Sequence, residues 1–244
     1  MAVPKTARVV GSCEIAPGTK VLDLALADGT DVGFRGGQYV IVNTGVTLPE
    51  GKLAKRAYSF FSHDAEQGRV QIAVKRLEGG PGSGAMHDAP VGTELSFSGP
   101  WGKLYPEGQA GRTLVLATDT GITAALGLAR SGGFEALAPE ADVYWYVTSP
   151  AYFLPEAFVR RELAGVPVRL HIEQALPPHH PERLAHVQAI VDRHITARGL
   201  PASAFFAGDG SVIHPIRDDL VALGVPVEHA RLEAFFNNPA RKAP

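Results

Sequence analysis

The octapeptide Lys55–Ser62, KRAYSFFS, sets two cations, two small hydroxyls and three aromatic rings within eight positions. On an extended strand, Arg56 and Tyr58 project to one face, while Ala57 and Ser59 alternate to the other side. A guanidinium pairs with phosphate oxygens. A phenol ring stacks on a planar ring system, and a serine hydroxyl bonds to a ring nitrogen. Other stretches offer complementary chemistry. EGGPGSGAMHDAPVG holds four glycines between Gly79 and Gly84, with Ser83 among them, so its amides can approach a phosphate closely. In ATDTGITAALGLAR a small turn containing Gly121 leads from an apolar run straight into a helix, whose first amides attract anions. AGDGS, Ala207–Ser211, is a second small-residue turn of the same kind.

A flavin dinucleotide carries a pyrophosphate, a planar ring and a ring nitrogen in one molecule, which meets the demands of Arg56, Tyr58 and Ser59 together. Plainer readings exist for each stretch. An ordinary sheet with an exposed Arg56 and a core Tyr58, a hairpin tip at Gly79–Gly84 and a bland strand-to-helix turn at Gly121 would look the same locally. No metal is expected. His179 and His180, in LPPHHPERL, fall in a Pro-rich turn without partners at ligand spacing.

These residues need two kinds of scaffold. In the first hundred residues, Leu22, Leu24 and Leu26 alternate with polar or small neighbours, as do Val70, Ile72 and Val74, and Leu95 with Phe97. Period two with Gly, Pro and Asp between the runs predicts antiparallel strands, no helical stretch of length, and a closed barrel or sandwich. After GPWGKLYPEGQAGR the pattern changes. TLVLAT, DVYWYVTS, VRLHIEQ, SAFFAG and RLEAFF are continuous apolar runs, which suits parallel strands buried on both faces. Between them Leu184, Val187, Val191 and Ile195 form one helical stripe, and Ile213, Ile216, Leu220 and Leu223 another. The expected fold is an N-terminal antiparallel β-barrel, 1–108, followed by a C-terminal α/β doubly wound parallel sheet, 109–244, with a short tail.

Composition narrows the function classes. Of 244 residues, 45% are hydrophobic and 20% charged, the balance of a globular chain, and the net charge of −2 gives no field for polyanions. Neither nucleic acid nor a membrane is an expected partner. Cys13 is the sole cysteine, so this sequence holds no disulfide framework and no four-thiolate iron–sulfur cluster. The opening MAVPKTARVVGSCEIAPG lacks an apolar core of signal-peptide length, and the expected location is cytoplasmic.

Taken in order, RAYS (56–59), VK (74–75), GPGS (80–83), GPWG (99–102), TDTGI (118–122), AGDG (207–210) and LEAFF (232–236) make the chain resemble the ferredoxin–NADP reductase superfamily of flavoproteins. The resemblance implies a barrel that binds FAD and an α/β half that binds NADH or NADPH. It assigns Arg56, Ala57, Tyr58, Ser59, Val74, Lys75, Gly82, Ser83, Gly84, Thr120 and Phe235 to FAD. It assigns Gly121, Thr148, Gly208, Asp209 and Gly210 to the nicotinamide dinucleotide, with Ser59, Tyr58 and Thr120 at the reacting centre. The implied activity passes a hydride from NAD(P)H to FAD and electrons onward to a protein such as ferredoxin, flavodoxin or an oxygenase component. A basic rim of Lys52, Lys55, Lys75 and Arg76 would suit such an acceptor. A free-flavin or quinone reductase is the second reading, and a non-catalytic flavin-binding module the third.

The chain departs from the family's pattern at four places. Asp119 stands where a Gly is usual and Ala207 where a Cys is common. The chain continues past Phe235, which would set Ala234 beside the flavin and Phe235 against the adenine. TSPAYF and EQALPPHH carry no Arg for a 2′-phosphate, which leans towards NADH, although Arg160, Arg161 and Arg183 lie close in sequence. Asp119 is expected either to cap the helix near Ile122 or, if it points into the cleft, to repel the dinucleotide's phosphates. In the second case Asp119→Gly would tighten binding.

Overall fold

The computed structural model describes residues 4–26, 29–149 and 153–237. The alternating segment forms β1 (Lys5–Ala16), β2 (Thr19–Leu26), β3 (Tyr39–Thr47), β4 (Leu53–Ser59), β5 (Arg69–Lys75) and β6 (Glu94–Trp101). They pair antiparallel in the order β4-β3-β6-β1-β2-β5. Just past β4, Phe60 bridges to Ile72 of β5 at the opposite edge, and the sheet curls into the expected barrel. Leu22, Leu24, Val40, Val42, Val70 and Ile72 share its core.

The glycine-rich stretch is not the loop that its composition suggests. It opens helix α1 (Pro81–Asp88), with Gly80 at the N-cap. Pro81 has its fixed φ suited to a first helical position and no N–H to leave unpaired. Met86, one turn on, is buried in the barrel core. Burying such a side chain contributes about 1.5–3 kcal/mol, enough to offset the roughly 1 kcal/mol that each helical glycine costs.

The second segment runs β7 (Arg112–Thr118), α2 (Ile122–Ala129), α3 (Phe134–Leu137), β8 (Glu140–Val147), α4 (Glu156–Glu162), β9 (Val168–Gln174), α5 (Arg183–Arg198), β10 (Ser203–Asp209), α6 (Gly210–Ala222) and β11 (Ala230–Phe236). The strands are parallel in the order β11-β10-β7-β8-β9, a doubly wound sheet as expected. Val115, Ala117, Trp145 and Phe205 belong to the core on one face, with α2. Leu114, Leu116, Tyr146 and Phe206 belong to the core on the other, with α5 and α6. Two expectations need correction. VRLHIEQ reads as buried on both faces, yet β9 is an edge strand whose side chains are half-buried or exposed. Leu223, read as the last member of the α6 stripe, lies at the C-cap and is 57% exposed.

The chain reverses its winding between β7 and β10, and a doubly wound sheet binds ligands outside the carboxyl ends of such a pair. The barrel meets the sheet along α2, every residue of which is buried. A Cβ on Gly127 would stand 2.1 Å from the Phe60 carbonyl oxygen, so only glycine permits that contact. Arg130 donates to the Phe61 carbonyl at 2.8 Å and to Glu162 at 2.7 Å, tying α2 to the end of the barrel strand and to α4.

Candidate functional site

Between the barrel wall and the carboxyl edge of the parallel sheet lies a cavity of about 580 Å³. Its barrel wall is built on β4, the strand of the RAYS motif. Arg56 and Tyr58 pair across from Val42 and Val40, so they share one face as the alternation requires. Arg56, Ala57, Tyr58 and Ser59 all border the cavity. The Arg56 guanidinium donates to the Lys55 carbonyl at 2.8 Å and lies against the start of α1, where a Cβ on Gly82 would come within 3.3 Å of it.

In α1 the first i→i−4 bond is made by the Gly84 amide to Gly80 at 2.9 Å, so the Gly82 and Ser83 amides precede the helical ladder. The Ser83 hydroxyl is used locally, donating to the Gly80 carbonyl and accepting from the Leu77 amide. A cation beside two open helix-terminal amides is an anion site, and it fits the pyrophosphate of FAD. Burial pushes the Tyr58 phenol up to about 12, more than Arg56 pulls it down, so this ring stays neutral over the physiological range.

On β5 the period of two separates the VK pair. Val74 is fully buried in the barrel core, while Ala73 and Lys75 border the cavity. Of the two residues assigned to FAD on this strand, Lys75 has its side chain at the cavity, whereas that of Val74 is in the core. Gly84 lies nearest the Arg76 side chain rather than the cavity.

The sheet wall carries Thr120 from the turn after β7, Thr123 from the first turn of α2, and Ala234, Phe235 and Phe236 from β11. In the β10–β11 pairing Gly208 opposes Ala234 and Asp209 opposes Phe236, which leaves Phe235 in a bulge. Such an insertion breaks the alternation, and both phenylalanines border the cavity.

Gly121, Gly208 and Gly210 serve packing instead of cavity lining. A Cβ on Gly121 would lie 2.2 Å from the Ala207 carbonyl oxygen, and one on Gly208 the same distance from the Thr118 hydroxyl. Gly210 is buried at the start of α6. Asp209 is fully buried and caps α6, accepting from the Ser211 amide at 3.1 Å and its hydroxyl at 2.7 Å.

Asp119 corrects one expectation for it and qualifies the other. Its side chain caps no helix, and it is 2% exposed with φ at +49°. One carboxylate oxygen accepts from Thr148 at 2.7 Å, and the other from Arg183. Asp119 does border the cavity, as the second expectation required, but its charge is paired with a guanidinium, which offsets the repulsion expected of it. Arg183, also 2% exposed at its side chain, is paired with Asp119 and Asp209. Residue-level reasoning missed Tyr39, Phe153, His179 and Glu233, which also border the cavity. Glu233 sits inside the quoted LEAFF, and its position one residue before Ala234 was the available signal.

Comparison with known proteins agrees with this geometry. Residues 6–105 match the family model described as an oxidoreductase FAD-binding domain. The chain is 31% identical over 247 residues to ferredoxin–NADP reductase B of Sorangium cellulosum, covering 96% of this chain and 98% of that protein. It is 29% identical over 161 residues to the ferredoxin–NAD(+) reductase component of the Xanthobacter autotrophicus alkene monooxygenase system, covering 64% of this chain and 47% of that one. Two solved structures share the fold. Amycolatopsis cytochrome P450 reductase GcoB has a TM-score of 0.72 at 21% identity, over 98% of this chain and 71% of that chain. The ferredoxin reductase in carbazole 1,9a-dioxygenase has a TM-score of 0.74 at 19% identity, over 96% and 68%.

The FAD-binding family match and the full-length relative make the chain an FAD-dependent oxidoreductase that uses NAD(P)H. Within that class, the chain belongs to the ferredoxin–NADP reductase family. Among the described residues no helix is long and apolar enough to cross a membrane.

Proposed function

We propose that this chain moves a hydride from NAD(P)H to FAD and electrons onward to a separate protein acceptor: a ferredoxin, a flavodoxin or an oxygenase component. The observation that carries the proposal is one cavity bordered on one side by Arg56, Tyr58 and Ser59 and on the other by Thr120 and Phe235. FAD supplies the two-electron to one-electron chemistry. In this proposal residues 1–108 hold FAD and residues 109–244 the nicotinamide dinucleotide. Arg56 and the Gly82 and Ser83 amides hold the pyrophosphate, Tyr58 packs on the ring, and the Ser59 hydroxyl bonds at the ring edge. Lys75 and the backbone at Val74 and Gly84 border the remainder of FAD, with Phe235 against it. Thr120 faces the junction of the two ring systems. Gly121, Thr148, Gly208, Asp209 and Gly210 act on the dinucleotide by shaping the sheet wall.

NADH is the proposed donor. Among the described residues, Arg160 pairs with Glu156 at 2.7 Å and Arg161 with Glu162 at 3.1 Å, while Arg183 is buried. For the acceptor, Leu53 is 48% exposed and follows Lys52 in sequence two residues before Lys55, while Leu77, 53% exposed at the cavity border, follows Lys75 and the Asp88-paired Arg76. Apolar centres among cations suit an acidic protein partner.

An anaerobic stopped-flow experiment tests both points. Mixing the yellow protein with NADH and with NADPH is expected to bleach the flavin, faster with NADH. The reduced protein is then presented with an acidic ferredoxin, free FMN or a quinone. Transfer to ferredoxin that slows as salt rises supports the proposal; rapid, salt-independent turnover of FMN or quinone alone would replace it with a free-flavin or quinone reductase.

A further inference from the structure

We propose that Arg183 is a positioning residue for the nicotinamide dinucleotide, because one buried guanidinium fixes three separate segments of the cavity's sheet wall. Its first tie is to the carboxylate of Asp119, in the turn that leads to Thr120 and Thr123. Its second is a hydrogen bond donated to the Leu176 carbonyl, in the loop that carries Pro178 and His179 to the cavity. The third is an ion pair from Nε to Asp209 at 3.3 Å. Asp209 in turn accepts from the Asn237 side chain at 3.1 Å, and Asn237 borders the cavity next to Phe236. Thr148, at the end of β8, completes the set by donating to Asp119.

Stability alone is a poor reason for this arrangement. Buried ion pairs recover little beyond their own desolvation, and well-packed apolar residues usually replace them at no loss. The arrangement also holds Asp119 at φ +49°, a backbone region that non-glycine residues rarely occupy and that clusters at functional sites when they do. The Nε of Arg183 and the Oδ2 of Asp209 face each other without a hydrogen bond, so the guanidinium's geometry is set by its two other ties. What the three ties share is location: each ends beside a cavity-lining residue at the carboxyl edge of the sheet. A wall fixed in advance spares the dinucleotide the cost of ordering it at every turnover. This inference rests on the NAD(P)H-linked activity of the family.

The test uses the FAD-loaded wild type, Arg183→Lys, the paired variant Asp119→Asn with Arg183→Met, and Thr148→Val. Measured for each are FAD content, melting temperature, Kd for NAD⁺ and NADP⁺ from the flavin spectrum, and KM and kcat for the reduced donor. Lysine keeps the charge but cannot make the three-way fork. If the wall's competent fraction falls to about a tenth, Kd rises about tenfold in Arg183→Lys and in the paired variant. KM is expected to follow while kcat and FAD content stay near wild type. Thr148→Val, which removes one outer tie, is expected to raise Kd about threefold.

Dinucleotide affinity unchanged in variants whose melting temperature falls would overturn the proposal and leave Arg183 a structural residue. Full affinity in Arg183→Lys would overturn it too, since charge alone would then suffice. Should both Arg183 variants fail to fold, unchanged affinity in Thr148→Val is the overturning result. A wild-type protein that holds FAD but binds neither NAD⁺ nor NADP⁺ would overturn the functional reading as well as this one, so the two failures are distinct.

Discussion

The two walls of the cavity handle their polar groups in opposite ways. On the barrel wall, Arg56 has one backbone acceptor, the Gly82 and Ser83 amides precede the α1 ladder, and Tyr58 is a neutral ring. On the sheet wall, Asp119, Thr148, Arg183, Asp209, Ser211 and Asn237 bond to one another. In the proposed function, one wall would be completed by its ligand; the other is complete beforehand and offers a shape. That contrast matches the two cofactors of the family. A resident FAD can supply permanent partners, whereas a dinucleotide exchanged at every turnover would pay for any rearrangement each time.

The contrast is most exposed to substitution at glycine. Gly121→Ala would drive a Cβ against a carbonyl oxygen of the neighbouring strand, which is rigid backbone. A loss of about 3 kcal/mol of stability, or failure to fold, is expected in a melting experiment. Gly82→Ala meets the movable end of Arg56 instead, so its melting temperature should hardly change while FAD affinity falls. Equal destabilisation by the two would erase the distinction between the walls.

Next in size is Arg56→Ala, which removes a charged phosphate contact worth roughly 1.5–3 kcal/mol. Equilibrium dialysis should show FAD affinity lowered by about ten- to a hundredfold, with the melting temperature of the flavin-free protein unchanged. Ser59→Ala is expected to keep FAD and slow its reduction by about tenfold, the effect of one hydrogen bond of about 1–1.5 kcal/mol felt at the reacting ring. If both variants lose flavin equally and the rate per bound flavin holds, the division of roles between Arg56 and Ser59 is wrong.

The smallest effect lies away from the cavity, at Asp142 on β8. Burial pushes its carboxyl up, but hydrogen bonds from Arg169 and His171 outweigh that and hold it at about 2, below the ordinary 3.8. A carboxyl depressed in the folded state adds stability at pH values above its ordinary range and loses it as pH falls towards 2. Melting temperatures of wild type and Asp142→Asn should therefore differ near neutrality and converge in acid. A difference that persists at pH 2 would mean that Asp142 acts by packing.

Much of this was legible in sequence because it rests on period. Alternation in β2, β5 and β6 and continuous apolar runs in β7 and β10 follow from how each sheet is covered. The same alternation put Arg56 and Tyr58 on one face. It also separates Val74 from Lys75, which the VK motif, carried over as a pair, obscured. Helix α1 was hidden because glycine argues against helix locally, and only the packing of Met86 on the barrel overrides that. The Asp119–Arg183 contact spans 64 residues and leaves no local trace, so Asp119 looked like an unpaired charge. Leu223 fitted the spacing of a stripe whose helix had already ended.

Hydrogen exchange of the whole chain, with FAD removed and then restored, tests the contrast between the walls most directly. The account predicts that FAD strongly slows exchange at the Gly82 and Ser83 amides, and leaves the amides of Asp119–Gly121 and Asp209–Ser211 as protected as they were without it. Equal gains in protection on both walls, or no gain at Gly82 and Ser83, would contradict it.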